Sequence, residues 1–126
     1  MSEGLCLDTG ALIAFERRDR RVVRLVELTR KRGWSVHVPA PVVAQARRAG
    51  SRQALLARLL SSDGVETVAL DALAARSVGE LCAATSATDI VDGHVAWHAF
   101  RHGLIVVTSD PDDLAAFGLR LRIVAV

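Results

Sequence analysis

Short apolar runs alternate with longer stretches in which apolar residues recur at helical spacing, and this pattern predicts the elements of the chain. Gly4-Leu5-Cys6-Leu7-Asp8 reads as a buried strand, because the run is short and ends at a helix-starting signal. A helix follows from about Thr9 to Arg17. Asp19 can cap a second helix reaching about Arg32, with Val22, Leu25, Val26 and Leu28 inward, and Gly33 ends it. Ser35-Val36-His37-Val38 is a second strand, after which Pro39 and Pro41 break the pattern and open a helix with Val42, Val43 and Ala46 inward, ending near Gly50. Ser51 caps a further helix whose stripe includes Ala54, Leu55 and Leu59. Val65–Val68 forms a third strand, Asp71 starts a helix to about Ala84, and another helix spans roughly 88–102. Residues 104–108 and 123–126 complete the strands. Alternation of strand and helix predicts an α/β fold: a mainly parallel sheet covered on both faces.

Length and composition narrow this to one domain over residues 1–126, with an expected cytoplasmic location. No apolar run approaches the ~20 residues of a membrane span, and MSEGLCLDTG lacks the pattern of a signal peptide. Cys6 and Cys82 have no metal-binding or redox spacing and read as reduced, buried thiols. Net charge is +2 but unevenly spread. Residues 1–58 hold twelve Arg or Lys against five acids, and the remainder holds four against nine. A basic half favours a polyanionic partner, and Arg17, Arg18, Arg20, Arg21 and Arg24 are the candidates for steering one.

The acids carry the candidate chemistry. Six of the nine aspartates sit where strands end or helices begin: Asp8, Asp89, Asp92, Asp110, Asp112 and Asp113. In parallel sheets ligands bind beyond the carboxyl ends of the strands, where Asp8 and Asp110 fall. Adjacent carboxylates raise one another's pKa unless a cation lies between them, and oxygen-only clusters suit Mg²⁺ or Mn²⁺. Each acid also has an ordinary structural reading. Asp8 can cap the helix at Thr9, Ser86-Ala87-Thr88-Asp89 fits a capping box, and Asp110-Pro111-Asp112-Asp113 fits a helix start. Asp112 reads as the solvent-facing member, while Thr108 and Ser109 offer hydroxyls that can orient water or phosphate.

Other residues add less. His94, His98 and His102 recur every fourth residue, but no Glu follows the first as zincin chemistry requires, so they read as a partly exposed polar face. Trp34 and Trp97 are isolated and read as core or rim packing. There is no nucleophile elbow, Walker loop or dinucleotide fingerprint.

Four segments, LDTGALIA, VPAPVVAQARR, DIVDGHVAWHA and VTSDPDDL, occur in an order that resembles the PIN-domain ribonucleases, specifically VapC-type toxins of toxin–antitoxin pairs, over nearly the full length. The resemblance implies a three-layer α/β/α sandwich and an acidic cluster binding Mg²⁺ or Mn²⁺. By position, Asp8, Asp92 and Asp110 look like its core catalytic and metal-binding acids, and Asp89 and Asp113 like auxiliary ones. It further implies an RNA substrate, a cognate antitoxin, and a homodimer. The exposed apolar surface of the first helices (Leu12, Ile13, Phe15, Val22, Val23) is expected to serve a protein contact. One position departs from the family pattern: Gln45 stands where most members place Glu, which removes one negative charge while still allowing an auxiliary, water-holding role.

The expected activity is a metal-dependent endoribonuclease using a metal-activated water, with 5′-phosphate and 3′-hydroxyl products. The alternative is a PIN-like module, weakened at Gln45, that binds RNA or a partner without cutting. A phosphatase is disfavoured, because it would need a second acid two residues after Asp8, where Gly10 stands.

Overall fold

The computed structural model describes residues 4–48 and 54–126. The expected helix end near Gly50 and cap at Ser51 lie outside the described residues. Five strands, β1 (Gly4–Leu7), β2 (Ser35–Pro39), β3 (Val65–Val68), β4 (Ile105–Thr108) and β5 (Arg122–Ala125), form one sheet in the order β3-β2-β1-β4-β5. Every pairing is parallel, with Leu5 opposite Val36 on one side and Ile105 on the other. β5 begins one residue earlier than the apolar run suggested, at the exposed Arg122.

The chain leaves β1 in one direction and enters β4 from the other, so the two halves of the sheet are wound oppositely about the β1–β4 boundary. Right-handed crossovers then place the connecting helices on opposite faces. α1 (Thr9–Glu16) and α2 (Arg20–Lys31) cover one face, and α6 (Ile90–His102), backed by α5 (Ala72–Thr85), covers the other. α3 (Ala40–Arg48), α4 (Ala54–Leu60) and the short α7 (Pro111–Ala115) complete the described helices. This is the three-layer α/β/α sandwich with a central parallel sheet.

Local chemistry sets the helix ends. Asp19 accepts from the backbone N–H groups of Arg21 and Val22 at 3.0 and 3.2 Å, and Asp71 accepts from Ala74 at 2.9 Å. These bonds satisfy amides that a helix start leaves without partners. Pro39 ends β2 rather than opening the next helix, whereas Pro41 lies in the first turn of α3, where its missing N–H costs nothing. Ser86 does not begin a capping box. It closes α5 in the left-handed region at φ 62°, and Asp89 itself caps α6 by accepting from Asp92 N–H at 3.0 Å.

The core is aliphatic and continuous across the layers: Leu5, Leu7, Leu12, Val22, Val26, Val36, Val38, Val42, Leu56, Val95, Val106 and Leu114 are all buried. Three expectations change here. Leu12, Phe15 and Val22 do not form an exposed docking face, because α1 is enclosed by the sheet, α2 and α3; only Ile13 and Val23 stay half-exposed. Leu28 points outward at 41% exposure, since it falls off the stripe that Val22, Val26 and Thr29 bury. The histidines are not a solvated face: His94 and His98 are buried, and only His102 is exposed, because the helix stripe they follow faces β2 and the sheet. Both cysteines are free and buried, and Trp34 and Trp97 lie half-buried at the rim under Arg32 and Arg101.

Two helical glycines separate packing from propensity. A Cβ on Gly93 would stand 3.0 Å from Val78 Cγ1 and 3.1 Å from Cys82 Sγ, where α6 crosses α5, whereas one on Gly79 would meet nothing within 4 Å. Gly93→Val is expected to cost about 1–3 kcal/mol by overpacking. Gly79→Ala should instead raise stability by roughly 0.5–1 kcal/mol through helix propensity. Urea unfolding of the two variants checks both signs.

Candidate active site

The residue after β1 and the residues after β4 meet where the winding of the sheet reverses. Asp8 is 4% exposed, and its backbone N–H donates to Val107 O at 3.2 Å, which ties it to β4. Its Oδ1 accepts from Ala11 N–H at 2.8 Å, so it does cap α1 as the structural reading holds. Its Oδ2 accepts from the Thr108 hydroxyl, whose oxygen in turn accepts from Asp110 N–H at 2.8 Å. A relay therefore runs from the Asp110 backbone through Thr108 to the Asp8 carboxylate. Each Asp8 oxygen keeps a further lone pair for another partner.

Asp92 enters from the other layer, on the first turn of α6, with Asp89 capping the same turn. Asp110 stands at the N-cap position of α7 but makes no side-chain cap bond. The carboxyl of Asp113, in the first turn of the same helix, stands beside it. Asp112 is exposed and faces solvent, as its place in the sequence suggested.

The charges confirm that these groups crowd. Burial, then Asp89, Asp113, Asp8 and Asp110 in that order, push Asp92 up to about 6. Asp8 is also raised, chiefly by burial, although the bonds from Thr108 and Ala11 pull the other way. Asp113 is raised by the Asp110 carboxyl beside it. Asp89, Asp92 and Asp113 line a 230 Å³ cleft with Thr88, Ala116 and Phe117.

Among the described residues no three His, Cys, Asp or Glu side chains already enclose a common point at ligating distance. The donor chemistry fits a hard divalent cation all the same. The donors are all oxygen, and every charge acting on Asp92 is negative, so a cation would remove a repulsion the apoprotein carries.

Gln45 lies beside this cluster on α3, where its Oε1 accepts from the Thr9 hydroxyl at 2.6 Å. Thr9 thus secures the amide one residue from Asp8. Sequence reasoning passed over Thr9, because a Thr at a helix start ordinarily reads as local capping. It also read Gly10 only as the absence of an acid. A Cβ there would fall 1.8 Å from Ser109 Oγ and 2.8 Å from Ser109 Cβ, so glycine is what lets Ser109 approach the start of α1.

The arginines do not gather in one place. Arg17 shares a pocket with Asp19, Gly10, Ile13 and Ser109. Arg18, Arg20 and Arg24 join Arg58 around a groove of about 560 Å³ floored by Phe15, Val23 and Leu55. Arg21, with Arg24, borders an apolar groove between α2 and the end of β5.

With this geometry in hand, comparison with known proteins is informative. The PIN-domain family model matches residues 5–118. No curated protein matches the chain. Among solved structures, the chain is similar to one in the crystal structure of VapBC2 from Rickettsia felis bound to a DNA fragment from their promoter. Identity there is 18%, coverage 98% of both chains and the TM-score 0.74. It is similar to a chain of FitAB bound to the IR36 DNA fragment, at 17% identity, 96% and 94% coverage and a TM-score of 0.68. A chain of FitAcB from Neisseria gonorrhoeae matches at 20% identity, 94% and 95% coverage and a TM-score of 0.64. At these identities the likeness establishes the fold.

Two outcomes follow from the site. Thr108→Val keeps the shape but leaves Asp110 N–H and one Asp8 lone pair unmatched. It should cost about 1–3 kcal/mol, read by urea unfolding. The raised carboxyls also give a sign for pH. A carboxyl whose folded pKa lies above its unfolded value favours folding while protonated, and that contribution is lost as pH rises through the folded pKa. In EDTA, the melting temperature of wild type should therefore fall between about pH 4 and pH 6 relative to Asp92→Asn. Added Mg²⁺ should stabilise wild type near neutrality more than the variant.

Proposed function

Because the chain belongs to the PIN-domain family, whose members are nucleases, we propose that it is a divalent-metal-dependent endoribonuclease and the toxin of a toxin–antitoxin pair. The observation that carries this reading is the mutually repelling cluster of Asp8, Asp92, Asp110, Asp89 and Asp113 at the carboxyl edge of the sheet. Asp8, Asp92 and Asp110 would hold Mg²⁺ or Mn²⁺, which when bound supplies a positive charge for a phosphate oxygen and acidifies water.

The chain's own residues do the rest. Thr108 fixes the Asp8 carboxylate in one orientation and leaves it further lone pairs for an ion. Asp89 and Asp113 would orient water by hydrogen bonds. Ser109, brought close by Gly10, offers a hydroxyl to the scissile phosphate. Arg17 would meet the RNA backbone, since it lines a pocket together with Gly10 and Ser109 and a charge-assisted contact from its guanidinium suits phosphate. Gln45 contributes an amide held by Thr9 and no charge, which favours a site with one firmly bound ion.

The groove of Phe15, Val23 and Leu55 suits the partner. Its apolar floor and rim of Arg18, Arg20, Arg24 and Arg58 match an amphipathic antitoxin segment with acidic flanks. The similar solved structures are of VapBC2 and FitAB, each bound to a DNA fragment. A homodimer belongs to the same reading, with the exposed Leu73, Ile90 and Phe100 on α5 and α6 supplying apolar contact area. The proposed location is the cytoplasm; among the described residues no helix is long and apolar enough to cross a membrane.

The test is incubation of purified protein with total cellular RNA and Mg²⁺ or Mn²⁺, followed by sequencing of the ends. Metal-dependent cuts bearing 5′-phosphate, absent in EDTA and reduced by at least about 100-fold in Asp8→Asn, are expected. Ends carrying 2′,3′-cyclic phosphate would overturn the water-attack chemistry. Folded protein that binds Mn²⁺ and RNA without cutting would establish the non-catalytic module instead. Arg17→Ala should weaken RNA binding and lower its salt slope by about one, measured by fluorescence anisotropy across a salt series.

A further inference from the structure

The four histidines of the chain form a contiguous row where α6 lies against β2, and the row ends at His102, the end of α6 remote from Asp92. His37, in the middle of β2, points to the same side as its register partner Cys6, whose thiol faces Val95 O on α6. His94, His98 and His102 descend α6 one turn apart, and His102 is its last residue. Asp92 and His102 are ten residues apart, roughly 15 Å along the helix.

Three of these rings lie close to one another. The ring centroids of His37 and His98 are 5.0 Å apart, those of His98 and His102 are 4.4 Å, and those of His37 and His102 are 6.2 Å. Three imidazoles holding one tetrahedral ion at ~2.0–2.1 Å place their centroids roughly 5 Å apart. His37 Nδ1 lies 2.8 Å from His98 Nε2, so the inner nitrogens already face each other. Ser35 Oγ lies 2.9 Å from the other His37 nitrogen, Nε2. A metal-binding histidine is commonly oriented in this way, with its remote nitrogen held by a neighbouring oxygen.

The burial is graded: His98 is inside, His37 half-buried and His102 exposed, so the site has an enclosed floor and an open side. Further in, neither ring nitrogen of the fully buried His94 has a hydrogen-bond partner among the described residues. Glu66, the register partner of His37 on β3, adds a negative charge, and Arg101 beside His98 opposes it. The apo arrangement is not yet closed. No three ligands enclose a common point as they stand, and the 2.8 Å contact must open by about half an ångström as a cation replaces the proton between the rings.

We propose that His37, His98 and His102 form a binding site for one borderline transition cation of the Zn²⁺, Co²⁺ or Ni²⁺ class, separate from the acidic cluster. Imidazole nitrogens select these ions over Mg²⁺, which the oxygen-only acids prefer. A bound ion would fasten the last turn of α6 to β2 and so brace the helix that carries Asp92. The proposal is independent of the nuclease reading.

The test uses untagged, EDTA-stripped and desalted full-length protein, titrated with Co²⁺ in excess Mg²⁺ and followed by visible absorption and calorimetry. One Co²⁺ per chain with a tetrahedral spectrum is expected, displaced by Zn²⁺, unchanged in Asp92→Asn, and accompanied by a higher melting temperature. His102→Ala removes an exposed ligand without opening the core and should weaken binding by about tenfold or more. His37→Gln should do the same while circular dichroism reports whether it folds. Absence of Co²⁺ binding to wild type, or binding that persists at full strength in folded His102→Ala, would overturn the site.

Discussion

Like charge gathered at one edge of a parallel sheet is the constraint around which this molecule is arranged. Asp8 is buried beside β4, Asp92 and Asp89 arrive on α6, and Asp110 and Asp113 arrive with α7. Each is held there by backbone bonds that local sequence dictates: a cap, a helix start, a strand end. The fold thus uses ordinary structural devices to assemble a group of carboxylates that repel one another. Burial first, and then the neighbouring carboxylates, push Asp92 up to about 6, and the Asp110 carboxyl beside Asp113 raises that group as well. A structural cap and a cation ligand are not competing roles here, since Asp8 caps α1 through one lone pair and retains others.

Much of this was legible in the order of residues. The Val65–Val68 strand and the caps at Asp19 and Asp71 follow directly from apolar run length and cap chemistry. The convergence of Asp8 with Asp110 follows from their places at strand ends in a parallel sheet. The histidines were misread because periodicity identifies a face but not what covers it; here α6 turns its histidine stripe toward β2. The first helices were misread for a related reason. α1 is apolar nearly all round, so its pattern does not distinguish a buried helix from a docking surface. The approach of Gly10 to Ser109 and the bond between Thr9 and Gln45 depend on chain paths 99 and 36 residues apart, which no local pattern encodes.

α6 links the two chemically distinct ends of the protein. Its first turn presents Asp92 to a cluster of hard oxygens, and its last two turns present His98 and His102 to His37. Gly93 lets the helix press against α5 between those ends. The same rigid element thus sets the position of a carboxylate at its start and of imidazoles toward its end. The basic residues are likewise divided, with Arg17 in a pocket that Gly10 and Ser109 also line and Arg18, Arg20 and Arg24 around a separate apolar groove.

The central claim is that the carboxylates are held together for a divalent cation. The most direct measurement is the titration of the Asp92 carboxyl by carbon-detected NMR, in EDTA and in saturating Mg²⁺. The account predicts a midpoint near 6 without the ion, falling below the ordinary value of about 4 with it. An unchanged midpoint in Mg²⁺ would contradict it, because the ion would then not lie among these acids.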